Sequence, residues 1–142
     1  MSLRPMLIAA ALATLSAPVF ADDKGGSPER LALAEAHAGE AVEYARFTRP
    51  NRGYEVLDSH ALLVWEGYNR AWLVKVREDS NCQGFRNGVN ISLERQMYRT
   101  INVETGYVRS PRDHSFCKIT ELRELDVAAW RDAKRAGSIA TR

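Results

Sequence analysis

Between Ala61 and Arg77 the chain reads Ala-Leu-Leu-Val-Trp-Glu-Gly-Tyr-Asn-Arg-Ala-Trp-Leu-Val-Lys-Val-Arg. Two apolar runs rich in β-branched and aromatic residues flank a short connection that carries Gly67 and Asn69, the pattern of an antiparallel hairpin. Leu62 to Trp65 are apolar without a break, which suits a strand covered on both faces. On the second arm Trp72, Val74 and Val76 alternate with Leu73 and Lys75, so the two sets point to opposite sides. This stretch predicts the middle of a sheet, with Leu63, Val64, Trp65, Leu73 and Val74 among its most buried residues.

The flanking segments supply the remaining elements. Ser27-Pro28 reads as a helix start, with Ser as N-cap and Pro in the first turn. Leu31, Ala34 and Ala38 make its inner stripe, and Gly39 is the expected stop. Val42 to Thr48 then reads as a first strand. Pro50 to Gly53 reads as a turn, Tyr54 to Leu57 as a short extended piece and Asp58-Ser59 as another turn. Glu78 to Gly88 is a polar loop carrying Cys82, with room for one helical turn near Phe85. Val89 to Leu93 alternates as a half-buried strand, and Gln96 to Val103 with Gly106 to Arg109 reads as a further strand pair. Phe116 to Leu122 alternates with Cys117 inside. Asp126 caps a last helix with Val127 and Trp130 inward, and Gly137 is its expected end. The fold class that follows is α+β: a mainly antiparallel sheet of about five or six strands, one helix before it and one after.

Residues 1–21 have the form of an export leader: Arg4 ahead of the apolar core Leu7 to Leu15, then Val19 and Ala21 at the small-residue positions before cleavage. That core is shorter than the roughly 20 apolar residues a membrane span needs. The expected organisation is therefore a signal peptide over 1–21, a flexible mature N-terminus over 22–26, one domain over 27–137 and a frayed tail over 138–142. The expected location is the periplasm, with no membrane span after cleavage. Lys and Arg total 20 against 18 Asp and Glu, a net charge of +2, which gives no pull toward nucleic acid.

Cys82 and Cys117 are the chain's two cysteines. In an oxidising compartment an isolated pair is most simply a disulfide. It closes a loop of about 36 residues, for which chain entropy gives roughly 3–4 kcal/mol. A metal pair or a redox site would need a second Cys or a His at ligand spacing, or a Cys-x-x-Cys, and neither cysteine has one.

Ala38 to Val42, Leu57-Asp58, Ala61 to Trp65, Ala71 to Val74, Cys82, Ile91, Cys117-Lys118-Ile119 and Leu125-Asp126 stand in an order that resembles one uncharacterised family. Its members are small exported proteins of Gram-negative bacteria, catalogued as a domain of unknown function. The resemblance spans about residues 30 to 136. The chain departs from it at Glu124, where the family commonly has Pro, and at Gly106-Tyr107, where Phe-Asp is common. The resemblance implies an exported, disulfide-bearing α+β domain and lends no activity, cofactor or site.

The residues themselves carry little chemistry. His37 sits among alanines near a helix end, His60 opens the central strand, and His114 lies between Asp113 and Ser115. Consecutive residues do not converge as a catalytic triad must. Asn90-Ile91-Ser92 matches the glycosylation acceptor pattern by chance on a strand. Glu40, Glu43, Glu55, Asp58 and Glu66 show no pairing, and there is no phosphate loop, dinucleotide fingerprint or zinc motif. Trp65 and Trp72 read as core residues across the hairpin. Arg131, Lys134 and Arg135 make a basic face on the last helix. The tip differs, because Tyr68, Asn69 and Arg70 are contact-type residues on a turn that must be exposed. Two functional classes follow. One is a non-catalytic binding or envelope-associated protein with a protein or small-molecule partner, Tyr68 and Arg70 being its candidate contacts. The other is a small envelope hydrolase, which would gain if the largest pocket gathers two or more titratable side chains. Neither needs a metal or cofactor.

Overall fold

The computed structural model describes residues 27–49, 51–79, 82, 85, 92–94, 100–110 and 115–140. Helix α1 (Pro28–Ala36) starts where Ser27 accepts a hydrogen bond from the Arg30 N–H through its hydroxyl, with Pro28 in the first turn. It stops before the expected Gly39. The reason is competition for the backbone: Ala38 and its neighbours pair as a strand, and the Asp126 N–H donates to the His37 carbonyl. Strand β1 (Ala38–Val42) therefore begins inside the predicted helix end, and a bend at Glu43 separates it from β2 (Tyr44–Arg46).

The central elements are β3 (Asn51–Asp58), β4 (Ala61–Glu66) and β5 (Arg70–Val76). β3 already starts at Asn51, inside the expected turn, and a register shift between Asn51 and Gly53 absorbs the extra residue. The hairpin β4–β5 forms as predicted, with Leu63 opposite Leu73 and Val64 opposite Trp72. Gly67 has φ 68°, the left-handed conformation that lets a tight turn close. Further along lie β6 (Ser92–Glu94), β7 (Thr100–Asn102), β8 (Tyr107–Ser110), β9 (Ser115–Leu125) and α2 (Val127–Ala140). The Asn90-Ile91-Ser92 triplet begins outside the described residues, where most of the expected Val89 strand and the residues flanking Phe85 also lie.

The sheet path is β3-β4-β5-β9-β8-β6, all antiparallel, and β1 also pairs with β9. The long β9 organises this path. One side of it serves β5 from Ile119 to Leu125, and the other serves β8 up to Lys118 and β1 from Leu122. Among the described residues the expected pairing of the two segments around Gly106 does not form. β7 pairs instead with β2, making a separate two-stranded sheet, while β8 joins β9. Gly106 makes the turn between them, its N–H donating to the Asn102 carbonyl at 2.9 Å.

Both faces of the hairpin are buried. Leu57, Ala61, Leu63, Ala71 and Leu73 meet Ala34 of α1 and Val127 and Trp130 of α2. On the other face Leu62, Val64, Trp72, Val74 and Val76 meet Ala45, Phe47, Ile101, Phe85 and both cysteines. Each fully buried Leu or Val contributes about 1.5–3 kcal/mol. Trp65 and Trp72 consequently sit on opposite faces, Trp65 opposite Ala71 and only half buried against Trp130, their rings 5.6 Å apart. The disulfide joins Cys82 of the loop to Cys117 of β9, with Cα atoms 4.8 Å apart. The Asp126 carboxylate accepts from the Ala129 N–H at 3.0 Å and caps α2 as expected. α2 then continues through Gly137 to Ala140 rather than ending there. Among the described residues, no helix is long and apolar enough to cross a membrane.

Candidate functional site

The hairpin tip gathers side chains from four parts of the chain. Gly67, Tyr68 and Asn69 form the turn, and Tyr68 is 69% exposed. The Arg52 guanidinium of β3 lies over the Tyr68 ring, 3.8 Å from its centroid. Arg131 of α2 donates to the Tyr68 carbonyl and, at 3.2 Å, to the Asn69 side-chain oxygen. Arg49 flanks Gly67 from the other side, its Cδ and Nη1 3.8 Å from where a Cβ on Gly67 would stand. Tyr68 is thus a shared wall. On one side lies a groove of about 670 Å³ that includes Arg52, Tyr54, Glu55, Trp65 and Arg131. On the other lies one of about 370 Å³ formed by Thr48, Arg49, Glu66, Asn69 and Arg70.

Glu66 sits under this tip and is 3% exposed. Its Oε1 accepts from the Thr48 N–H and hydroxyl, both at 2.6 Å, and from the Arg49 N–H at 2.9 Å. Burial pushes its carboxyl up, but the bonds from Thr48 and Arg49 and the charge of Arg70 outweigh that, so its pKa lies below the usual glutamate range. Oε2 receives no hydrogen bond among the described residues, and Arg70 Nη1 stands 3.4 Å away. The structure places Arg70 at the first residue of β5, partly buried. Its Nε donates to Glu124 at 2.7 Å, and its guanidinium lies 5.1 Å from the Trp72 ring. It braces the tip, whereas Tyr68 is presented by it.

The sequence names Glu66 only among carboxylates without a pairing and passes over Arg49 and Arg52, although each left a signal. Parity puts Glu66 on the same side of β4 as the buried Leu62 and Val64. Arg46, Arg49 and Arg52 stand three apart around Pro50. No carboxylate pairs with Arg49 or Arg52 among the described residues, and Arg131 bonds only to oxygens of the turn.

The remaining candidates are dispersed. His37 caps α1 through its backbone, and His60 contacts Ser59 Oγ at 2.8 Å, while His114 and Asp113 lie outside the described residues. Glu55 pairs with Arg30, Asp58 accepts from the His60 N–H at 2.7 Å, and Glu40 and Glu43 are exposed. The basic face of α2 is divided, Arg131 going to the tip, Lys134 lying 4.3 Å from the Trp130 ring and Arg135 pairing with Asp132. A second cleft, of about 620 Å³, opens where β1 and β8 diverge along β9. It contains Glu43, Tyr44, Glu104 and Glu121. Glu121 is already within 3.6 Å of Lys75, whose ammonium is held above the usual lysine range, first by its hydrogen bond to Glu35 of α1. Among the described residues no group of three His, Cys, Asp or Glu is placed to hold a metal.

The chain belongs to the family described as "Family of unknown function (DUF6491)", whose model matches residues 1–140. Searches of the curated proteins and of the solved structures returned no match.

Proposed function

We propose that this chain is an exported periplasmic protein that binds an anionic partner in the cell envelope through its hairpin tip, without catalysis. The observation that carries this reading is Tyr68, an exposed aromatic fixed in place by Arg52 over its ring and Arg131 on its carbonyl. A preordered aromatic loses little conformational freedom on binding, and guanidinium groups suit carboxylate, phosphate or sulfate. Arg49 and Arg52 supply cations that the described residues leave without a carboxylate partner. The leader and the disulfide support export.

The hydrolase alternative draws on the larger groove, which on count gathers titratable side chains. Their engagements are structural: Glu55 is paired with Arg30, and both Arg52 and Arg131 are applied to Tyr68. Glu66 is displaced toward the ionised form, the reverse of what a general acid at neutral pH requires.

Retention of the mature domain on immobilised polyphosphate tests the reading, because polyphosphate offers charge alone. The wild type is expected to bind at low salt and elute as salt rises. The double variant Arg49→Gln with Arg52→Gln should elute at markedly lower salt, as should Tyr68→Ala with Arg70→Ala. Unchanged elution of both variants would remove the tip as the binding surface.

A further inference from the structure

Helices α1 and α2 share one face of the hairpin, and a cleft of about 300 Å³ opens between them. Leu33 of α1 and Trp130, Ala133 and Gly137 of α2 give it carbon walls, while the exposed Glu29, Arg30 and Lys134 stand at its rim. None of these residues belongs to either groove at the tip. At roughly 30 Å³ for each water-sized group, such a space takes about ten of them, the bulk of one alkyl chain. An extended peptide is the poorer occupant, because both helices hydrogen-bond their backbones internally and offer it no row of N–H and C=O groups to pair with. An alkyl chain asks for none. The rim then selects the head group. Arg30 is taken by Glu55. The Glu29 carboxylate enters no ion pair among the described residues, and neither does the Lys134 ammonium, which lies 4.3 Å from the Trp130 ring centroid. A fatty acid would set a second carboxylate against Glu29, and an alkylamine a second cation against Lys134. A head that carries both charges satisfies both sides.

We propose that this cleft binds a single-chain zwitterionic phospholipid, one whose head bears a primary ammonium beside its phosphate. The chain lies against Leu33, Trp130, Ala133 and Gly137, the phosphate pairs with Lys134, and the ammonium donates to Glu29. Gly137 marks where the cleft can be closed. A Cβ there would meet nothing within 4 Å, and a longer side chain would occupy the space that the alkyl chain needs. The site is separate from the anion-binding tip and stands or falls without it.

Amide shift mapping of the purified protein, with lauroyl lysophosphatidylethanolamine held below its micelle-forming concentration, reads the outcome. The wild type should bind it with the largest shifts at Leu33, Trp130, Ala133 and Gly137. Glycerophosphoethanolamine, the head without the chain, should bind more weakly by about tenfold or more, because no apolar surface is buried. Gly137→Leu should weaken the lysolipid by about tenfold or more without lowering the unfolding midpoint, since Leu is the better helix former. Glu29→Gln with Lys134→Gln should erase the preference for the lysolipid over laurate. If laurate binds the wild type as tightly as the lysolipid, or the rim variant keeps the preference, the zwitterionic head is not recognised and the proposal is wrong. Largest shifts elsewhere, or a Gly137→Leu protein that binds as the wild type does, would remove the cleft as the site. Tighter binding of a trileucine peptide would make it a peptide groove and overturn the lipid assignment.

Discussion

Arg131 of the last helix donates to the carbonyl oxygen of Tyr68, a residue 63 positions earlier at the tip of the central hairpin. The helix thereby adds a hold on the backbone of a residue whose ring Arg52 of β3 already covers. The bond lies at the surface, so its value is in order rather than in stability. Arg131→Ala should cost no more than about 1 kcal/mol by urea denaturation. Amide exchange at Tyr68 and Asn69 should nevertheless quicken, and polyphosphate retention should weaken. Exchange at wild-type rates would mean that the helix does not order the tip.

The disulfide ties Cys82 to Cys117 on the strand that organises the sheet. Replacing Cys82 or Cys117 with Ser should lower unfolding free energy by about 2–5 kcal/mol, a large fraction of what a domain of this size has. Denaturation of the oxidised and reduced wild type side by side checks this without mutation, and equal midpoints would contradict it.

Gly106 is required by proximity. A Cβ there would collide with the Asn102 carbonyl oxygen and stand 3.0 Å from the Ile119 side chain. Gly106→Ala should therefore destabilise by about 1–3 kcal/mol. Gly53, where an added Cβ meets nothing within 4 Å, is the control and should accept Ala with little change.

Much of this fold is legible in residues 61 to 77. An apolar run with no polar interruption demands cover on both faces, and the structure supplies helices on one and the β2–β7 pair with Cys82 and Phe85 on the other. The cysteine pairing is legible because only one partner exists. What fails in sequence is whatever depends on distant backbone. Nothing in Thr100 to Asn102 says that it pairs with Tyr44 to Arg46 rather than with its neighbour across Gly106. The sequence marks Tyr68 and Arg70 together as tip residues; in the structure Tyr68 is exposed, while the charge of Arg70 is engaged by Glu66 across the turn and by Glu124 of β9. Glu66 reads as a strand-end carboxylate until Thr48 and Arg49 fold over it.

Glu66 also sets a pH dependence. Its folded pKa is depressed, so its contribution is present above the usual glutamate pKa and is lost as pH falls through the lower folded value. At pH 7 Glu66→Gln should be less stable than the wild type by about 1–2 kcal/mol, the difference between charged and neutral hydrogen bonds. The gap should close below about pH 4. Urea denaturation of both proteins from pH 7 to pH 3 follows it, and a gap that widens on acidification would contradict the assignment.

The claim that the hairpin tip is the binding surface is tested most directly by mapping amide shifts of the purified protein as tripolyphosphate is added. The largest shifts should fall at Thr48, Arg49 and Arg52, at Gly67 to Arg70 and at Arg131, and they should disappear in the Arg49→Gln, Arg52→Gln double variant. Largest shifts around Lys134 and Arg135, or a tip whose amides do not move, would contradict it.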